Sequence, residues 1–275
     1  MHPICSWMVT VDLHDELIVT RLGPGALSRY AVLWHDDAPV PTDIDWSIQE
    51  DLAVRAHLAM EAAVGRALPV QLALRKRIPV GAGLGGGSAD AAAMLHACRA
   101  LFDLHDELND AALTDIAGTL GSDVPFLLHG GSAIVEGFGE TIQLLDELPS
   151  THLVLILPAM HCSTGAIYGR FDEVPGAALR PDAVRALAAG EGDPFNDLAE
   201  AAMTEAAELD HLSTAIAKLI ERPVNVSGSG SALFLMCDTD IEAQAMATAI
   251  AGHFEVQTRV AVPTRCPIPV ESKSP

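Results

Sequence analysis

Lysine is nearly missing from this sequence. Only Lys76, Lys218 and Lys273 occur, and Lys plus Arg total 16 against 37 Asp plus Glu, for a formal net charge of −21. A surface of that sign repels nucleic acid and anionic membranes, so polyanion binding would need a local basic patch. Aromatics are scarce too, at 4%, which leaves the core to Ala, Val and Leu. The five cysteines, at positions 5, 98, 162, 237 and 266, form no C-x-x-C pair, which excludes the usual zinc patterns. An odd, scattered set fits a reducing, cytoplasmic location, and Cys98 and Cys237 sit in apolar runs that read as core. No basic stretch followed by an apolar run opens the chain, so no signal peptide is expected. The longest apolar runs, such as residues 152–158, fall far short of the roughly 20 residues that span a membrane.

What is present is ample for folding. Apolar residues make up 49% and charged residues 19% of 275 positions, a balance that excludes global disorder. At roughly 150 residues per domain, the length fits one large domain or two ordinary ones. Val, Ile and Thr with partial alternation predict strands over 7–13, 16–22, 29–34 and 70–75. Ser47 to Glu50 has the form of a capping box, predicting a helix from there to Val64 with Gly65 as its stop. Further helices are expected over 89–101 and 110–120, the second capped by Asn109 and ended by Gly121. Residues 124–128 and 132–135 read as paired strands around Gly130-Gly131. Near Leu148-Pro149 the rhythm changes. A strand over 152–157, helices to about 220, strands over 224–226 and 232–237, a helix over 241–251 and a strand over 256–262 follow. The division is therefore placed near 150, giving units 1–150 and 151–275, with a loose tail after Pro263.

One segment stands apart: Pro79, Val80, Gly81, Ala82, Gly83, Leu84, Gly85, Gly86, Gly87, Ser88 and Ala89, which opens the helix over 89–101. Glycines without Cβ let a backbone approach a ligand closely, and a helix N-terminus behind them carries about half a positive charge. Together they form a phosphate site. Arg75, Lys76 and Arg77 just upstream are the one dense cationic cluster. A Walker loop fails, because no Lys stands between Gly87 and Ser88. A dinucleotide fingerprint is met formally by Gly81, Gly83 and Gly86, but residues 75–79 are charged and proline-ended rather than a buried parallel strand. A merely tight turn would not need five glycines.

The run P-x-G-x-G-L-G-G-G-S-A-D-A-A resembles the second motif of the GHMP small-molecule kinases. Other motifs occur in order: Gly121-Ser122-Asp123-Val124-Pro125-Phe126 resembles G-x-D-V-P-F, Phe195-Asn196-Asp197-Leu198 resembles F-N-D-L, and Ser227-Gly228-Ser229-Gly230 resembles the third motif, with Ser231 where Pro is commoner. The triple glycine is similar to the branch acting on a cytidine diphosphate-linked methylerythritol. Met1-His2-Pro3 resembles the end of that branch's D-G-Y-H segment. The P-A-K-[IV]-N-L strand, with its lysine near the transferred phosphate, has no counterpart here, since no lysine precedes Lys76. A poor kinase is the resulting expectation for the chain as written.

The resemblance implies an α+β fold of two domains, one like ribosomal protein S5 domain 2 and one ferredoxin-like, with ligands in the cleft between them. It implies ATP-dependent phosphorylation of the substrate's 2-hydroxyl in non-mevalonate isoprenoid precursor biosynthesis. A truncated non-catalytic nucleotide binder, or a GHMP kinase for another small alcohol, is the alternative. Residues 79–89 would hold ATP, and Mg²⁺ would neutralise the triphosphate. Ser88 would touch phosphate or metal. Asp123 would be the catalytic base; its bland role is a solvated turn or helix cap. Tyr168 would stack on cytosine, or else pack between domains, with His2 and Thr164 as further substrate contacts. No metal-binding cluster of side chains is expected. The other histidines, among them His57, His96 and His105, read as surface or satisfied core. Asp12, Asp15 and Glu16 read as a solvated acidic turn.

Overall fold

A computed structural model describes residues 3–173 and 179–265. His2 and the tail over 266–275 lie outside the described residues. The first half of the chain runs β1 (Ile4–Val9), β2 (Glu16–Arg21), β3 (Arg29–Trp34), α1 (Leu52–Val64), β4 (Val70–Lys76), α2 (Gly86–Leu101), α3 (Asp110–Leu120), α4 (Val124–His129), β5 (Ser132–Gly137) and β6 (Thr141–Leu144). The second half runs β7 (His152–Leu157), α5 (Thr164–Phe171), α6 (Pro181–Ala188), α7 (Ala199–Glu205), α8 (Ala207–Ile220), β8 (Asn225–Val226), β9 (Leu233–Cys237), α9 (Asp240–His253) and β10 (Gln257–Ala261).

In β4 burial alternates, placing Val70, Leu72, Leu74 and Lys76 on the inner face. That period of two is a strand's own geometry, and it carries a lysine inward with the apolar residues. β4 is the middle strand of a sheet ordered β2-β4-β3, antiparallel to β2 and parallel to β3. The parallel link from β3 to β4 needs a crossover, and α1 supplies it, packing on α2. Val70, Leu72 and Leu74 join Met60, Met94, Leu95, Leu113 and Ala117 in one core. A second sheet, β1-β5-β6, is antiparallel. Among the described residues β1 and β2 each carry a strand on one edge alone.

The four-stranded sheet β10-β7-β9-β8 is antiparallel throughout, and Val154, Ile156, Leu209, Ile216, Leu235 and Ile250 form its core. A third cluster, Leu13, Val40, Ile78 and Ala82 with Leu155, Leu157, Ala232 and Ala261, joins the two halves. Cys98 and Cys237 are buried as expected.

Several expectations are corrected. Residues 124–128 are helix, not strand: Pro125 occupies the start of α4, where its missing N–H costs nothing, and a short apolar run does not distinguish the two states. β1 begins and ends earlier than expected, because beyond Val9 the chain leaves β5 and Val11 bridges Pro263 instead. Of the tail expected to be loose after Pro263, Thr264 is tied, its N–H donating to Thr10 O at 2.9 Å. The Ser47–Glu50 contact forms, with the Ser47 N–H donating to Glu50 at 3.2 Å, but it closes a turn. The cap of α1 is Asp51, whose carboxylate accepts from Ala53 N–H at 2.9 Å.

Candidate active site

Between the halves lies a cleft of about 2460 Å³ lined by the glycine loop, Ser122, Asp123, Thr164, Tyr168, Asn196 and the Ser227–Ser229 segment. Gly81, Gly83 and Gly85 have φ of +67°, +69° and +66°. Left-handed residues at every second position curl a loop so that its N–H groups face inward, a nest suited to an anion. Gly85 is also the N-cap of α2, with no side chain capping it, so the helix's first N–H groups stay available. Ser88 lies half-buried on the first turn.

The loop is held from the second half. Ser227 Oγ donates to Gly83 O at 2.9 Å, Ser231 N–H donates to Gly81 O at 3.3 Å and Ala232 N–H to Ala82 O at 3.0 Å. A Cβ on Gly83 would stand 2.1 Å from Ser227 O. Asn196 Nδ2 in turn donates to Val226 O at 2.9 Å and Gly228 O at 2.7 Å, so the F-N-D-L element fixes the serine–glycine loop. The sequence offered that element only as a resemblance, without a task for its asparagine.

Asp123 caps α4 without using its side chain for the cap, and Ser122 Oγ donates to it at 3.2 Å. Burial pushes its carboxyl up from the ordinary range, against the Ser122 hydrogen bond. It is half-buried at the N-terminus of α4. Burial, and then the charge of Asp123, also raise the Tyr168 phenol, which places the two side chains within electrostatic reach. Tyr168 stands one helical turn beyond Thr164 on α5, and Thr164 Oγ1 shares a 3.0 Å hydrogen bond with Ser229 Oγ. The structure thus brings Ser88, Asp123, Thr164, Tyr168 and Ser227 to one cleft; His2 lies outside the described residues.

Each member of the cationic cluster is paired with carboxylate. Arg75 pairs with Glu16 at 3.5 Å and Arg77 with Asp37 at 2.7 Å. Lys76 Nζ lies 2.6 Å from both Asp15 and Asp90. Asp15, expected as part of a solvated turn, has a side chain only 2% exposed. His57 is satisfied core, at 2.9 Å from Tyr30 Oη and 2.7 Å from Leu68 O. Among the described residues no group of three or more His, Cys, Asp or Glu could hold a metal, and no helix is long and apolar enough to cross a membrane.

Comparison with known proteins gives this architecture its family. Residues 51–131 match the GHMP kinases N terminal domain. The 4-diphosphocytidyl-2-C-methyl-D-erythritol kinase of Deinococcus radiodurans is 37% identical over 91% of this chain and 81% of its own length. That of Caulobacter sp. (strain K31) is 34% identical over 90% and 85%. Among solved structures, a 4-(cytidine 5'-diphospho)-2C-methyl-D-erythritol kinase superposes with a TM-score of 0.72 at 30% identity, covering 96% of this chain and 91% of that one. Homoserine kinase from Cytophaga hutchinsonii, at 20% identity and a TM-score of 0.70, shares the fold. With identity of this order over most of both chains, the α+β architecture and the ordered motifs have one source: the chain belongs to the 4-diphosphocytidyl-2-C-methyl-D-erythritol kinase family of GHMP kinases.

Proposed function

We propose that the protein transfers the γ-phosphoryl group of ATP to the 2-hydroxyl of 4-diphosphocytidyl-2-C-methyl-D-erythritol, a step of non-mevalonate isoprenoid precursor biosynthesis. The observation that carries this reading is the nest of residues 79–89 and the half-buried carboxylate of Asp123 lining one cleft. The loop N–H groups and the start of α2 hold the phosphates. Asp123 takes the hydroxyl proton as the oxygen attacks the γ-phosphorus and ADP departs. Its raised pKa makes it a better proton acceptor than an exposed aspartate would be. Tyr168 stacks on the cytosine, with Thr164 beside it. The donors present are hard oxygens, the Ser88 hydroxyl and the Asp123 carboxylate, which suit Mg²⁺ carried mainly by triphosphate and water. Magnesium supplies charge neutralisation when bound. Residues 1–150 carry the nucleotide site, and residues 151–275 carry the cytosine-facing side chains.

A nucleotide binder without turnover is the second reading. The observation favouring it is that the cations lining the cleft among the described residues, Arg21, Lys76 and Arg77, are all engaged elsewhere. One experiment separates the two. ADP release and the 2-phosphate product are followed with the cytidyl substrate, with homoserine and mevalonate as competing acceptors, for the parent, Asp123→Asn and Gly85→Val. Product from the cytidyl substrate, lost in Asp123→Asn at unchanged ATP affinity, is the expected result. Gly85→Val forces a branched side chain into φ +66° and is expected to weaken ATP binding by at least about tenfold. ATP binding with no product from any acceptor would establish the second reading.

A further inference from the structure

Three buried charges lie beneath the glycine loop, and the phosphoryl transfer leaves them unused. Lys76 is the last residue of β4, Asp15 precedes β2, and Asp90 lies in α2 beyond the loop. Their side chains are 5%, 2% and 4% exposed. Lys76 Nζ donates to Asp15 Oδ2 and to Asp90 Oδ2, each at 2.6 Å. The other Asp15 oxygen accepts from the N–H of Ile78 at 2.8 Å and from the N–H of Arg77. A buried ion cluster of this kind is weak as a source of stability, because desolvation offsets much of its attraction. Its use must then lie in what it fixes.

What it fixes is the loop at both ends. Asp15 grips Arg77 and Ile78, where the chain leaves β4. Asp90 sits on the helix into which the loop runs, and Lys76 ties the two carboxylates together. Ile78 also packs on Gly86, where an added Cβ would meet Ile78 Cγ2 at 2.8 Å. We propose that Asp15, Lys76 and Asp90 form a positioning triad that clamps the two ends of the phosphate loop, setting the separation at which its N–H groups converge. The proposal rests on reading residues 79–89 as the nucleotide loop. None of the three is a catalytic residue; they act through the backbone. Burial pushes the Asp90 carboxyl up to about 8, against the pull of Lys76 and with a further push from Asp15.

The test uses the full chain and the isosteric variants Asp90→Asn and Asp15→Asn, with Lys76→Met and Lys76→Arg as a pair. Thermal unfolding, hydrogen–deuterium exchange over residues 77–89 and ATP affinity are measured on each. The expected result is folded variants in which exchange over 77–89 speeds by about tenfold or more, while β7 and β9 keep the parent rate. The ATP dissociation constant rises about tenfold, with KM for the alcohol unchanged, and Lys76→Arg recovers more than Lys76→Met. Folded variants with parent loop exchange and parent ATP affinity would overturn the proposal. So would global unfolding of both aspartate variants, since the triad would then hold the fold rather than the loop. If the parent itself binds no ATP while the variants still loosen 77–89, the clamp stands and the nucleotide reading falls.

Discussion

A carboxylate held partly out of water is harder to charge than an exposed one, and at Asp123 this sets stability against the role of base proposed for it. Burial raises its folded-state pKa above the ordinary value. Between the unfolded and the folded pKa the native state holds the extra proton, so stability contributed there is present at low pH and is lost as pH rises through the folded value. Asparagine has the same shape and no such titration, and because the Asp123 side chain makes no cap bond, none is lost. Asp123→Asn should match the parent in denaturant unfolding near pH 4 and exceed it at pH 8, by on the order of 1 kcal/mol, while losing turnover. Equal stability at both pH values would mean that the native carboxylate is solvated and tuned by nothing. The sequence did not announce the burial of this residue, since an Asp after Gly-Ser also reads as a turn or helix-cap residue. Nor did it announce the burial of Asp15, since three acids in five residues look solvated until a lysine from a distant strand is seen to meet one of them.

At the level of the element, the two glycine-rich loops interlock, and Gly83 is where they touch. Its φ of +69° is left-handed, and a Cβ there would lie 2.1 Å from Ser227 O and 2.8 Å from Gly230 N. Backbone cannot swing aside as a side chain can. Gly83→Ala should therefore part the loops, break the Ser227–Gly83 hydrogen bond, destabilise by about 1–3 kcal/mol and weaken ATP binding. Gly118, inside α3 with nothing within 4 Å of its would-be Cβ, is the control: Gly118→Ala should stabilise by about 0.5–1 kcal/mol. Thermal melts of both variants decide the matter, and a Gly83→Ala melt at the parent temperature would show that the loops are not in contact in solution. Elements with strong local signals were readable in advance. β3, α3 with its Asn109 cap, and the Gly65 stop fall where caps and periodicity put them. α4 was misread because six residues of mixed apolar character fit strand or helix equally, and the start of α1 was misread because a real capping-box contact closes a separate turn. The site's ingredients were legible as motifs; their mutual grip was not, because it runs through backbone carbonyls such as Gly81 O and Gly83 O that no side-chain pattern announces.

For the molecule as a whole, net charge and fold act against each other at the cleft. The chain carries −21 and must draw in a polyanionic nucleotide. Its nearby cations are engaged: Arg21 donates to Leu101 O at 3.2 Å, Arg77 pairs with Asp37 at 2.7 Å, and Lys76 is enclosed by two carboxylates. Attraction for phosphate then falls to the loop N–H groups and the α2 dipole, which act over a few ångströms, whereas repulsion from the surface acts at longer range. Salt shortens the longer-range term first, because the screening length is about 10 Å at 0.1 M. Raising NaCl from about 20 to about 200 mM should therefore leave Mg-ATP affinity unchanged or tighten it a few-fold, and should speed association, contrary to a site built on free lysines and arginines. The same screening relieves self-repulsion, so the melting temperature should rise over that range. Titration calorimetry and stopped-flow binding at fixed free Mg²⁺ measure both effects. A dissociation constant that instead climbs steeply with salt would mean that an unpaired cation reaches the phosphates, and that the engagement of Arg21, Lys76 and Arg77 does not persist when nucleotide binds.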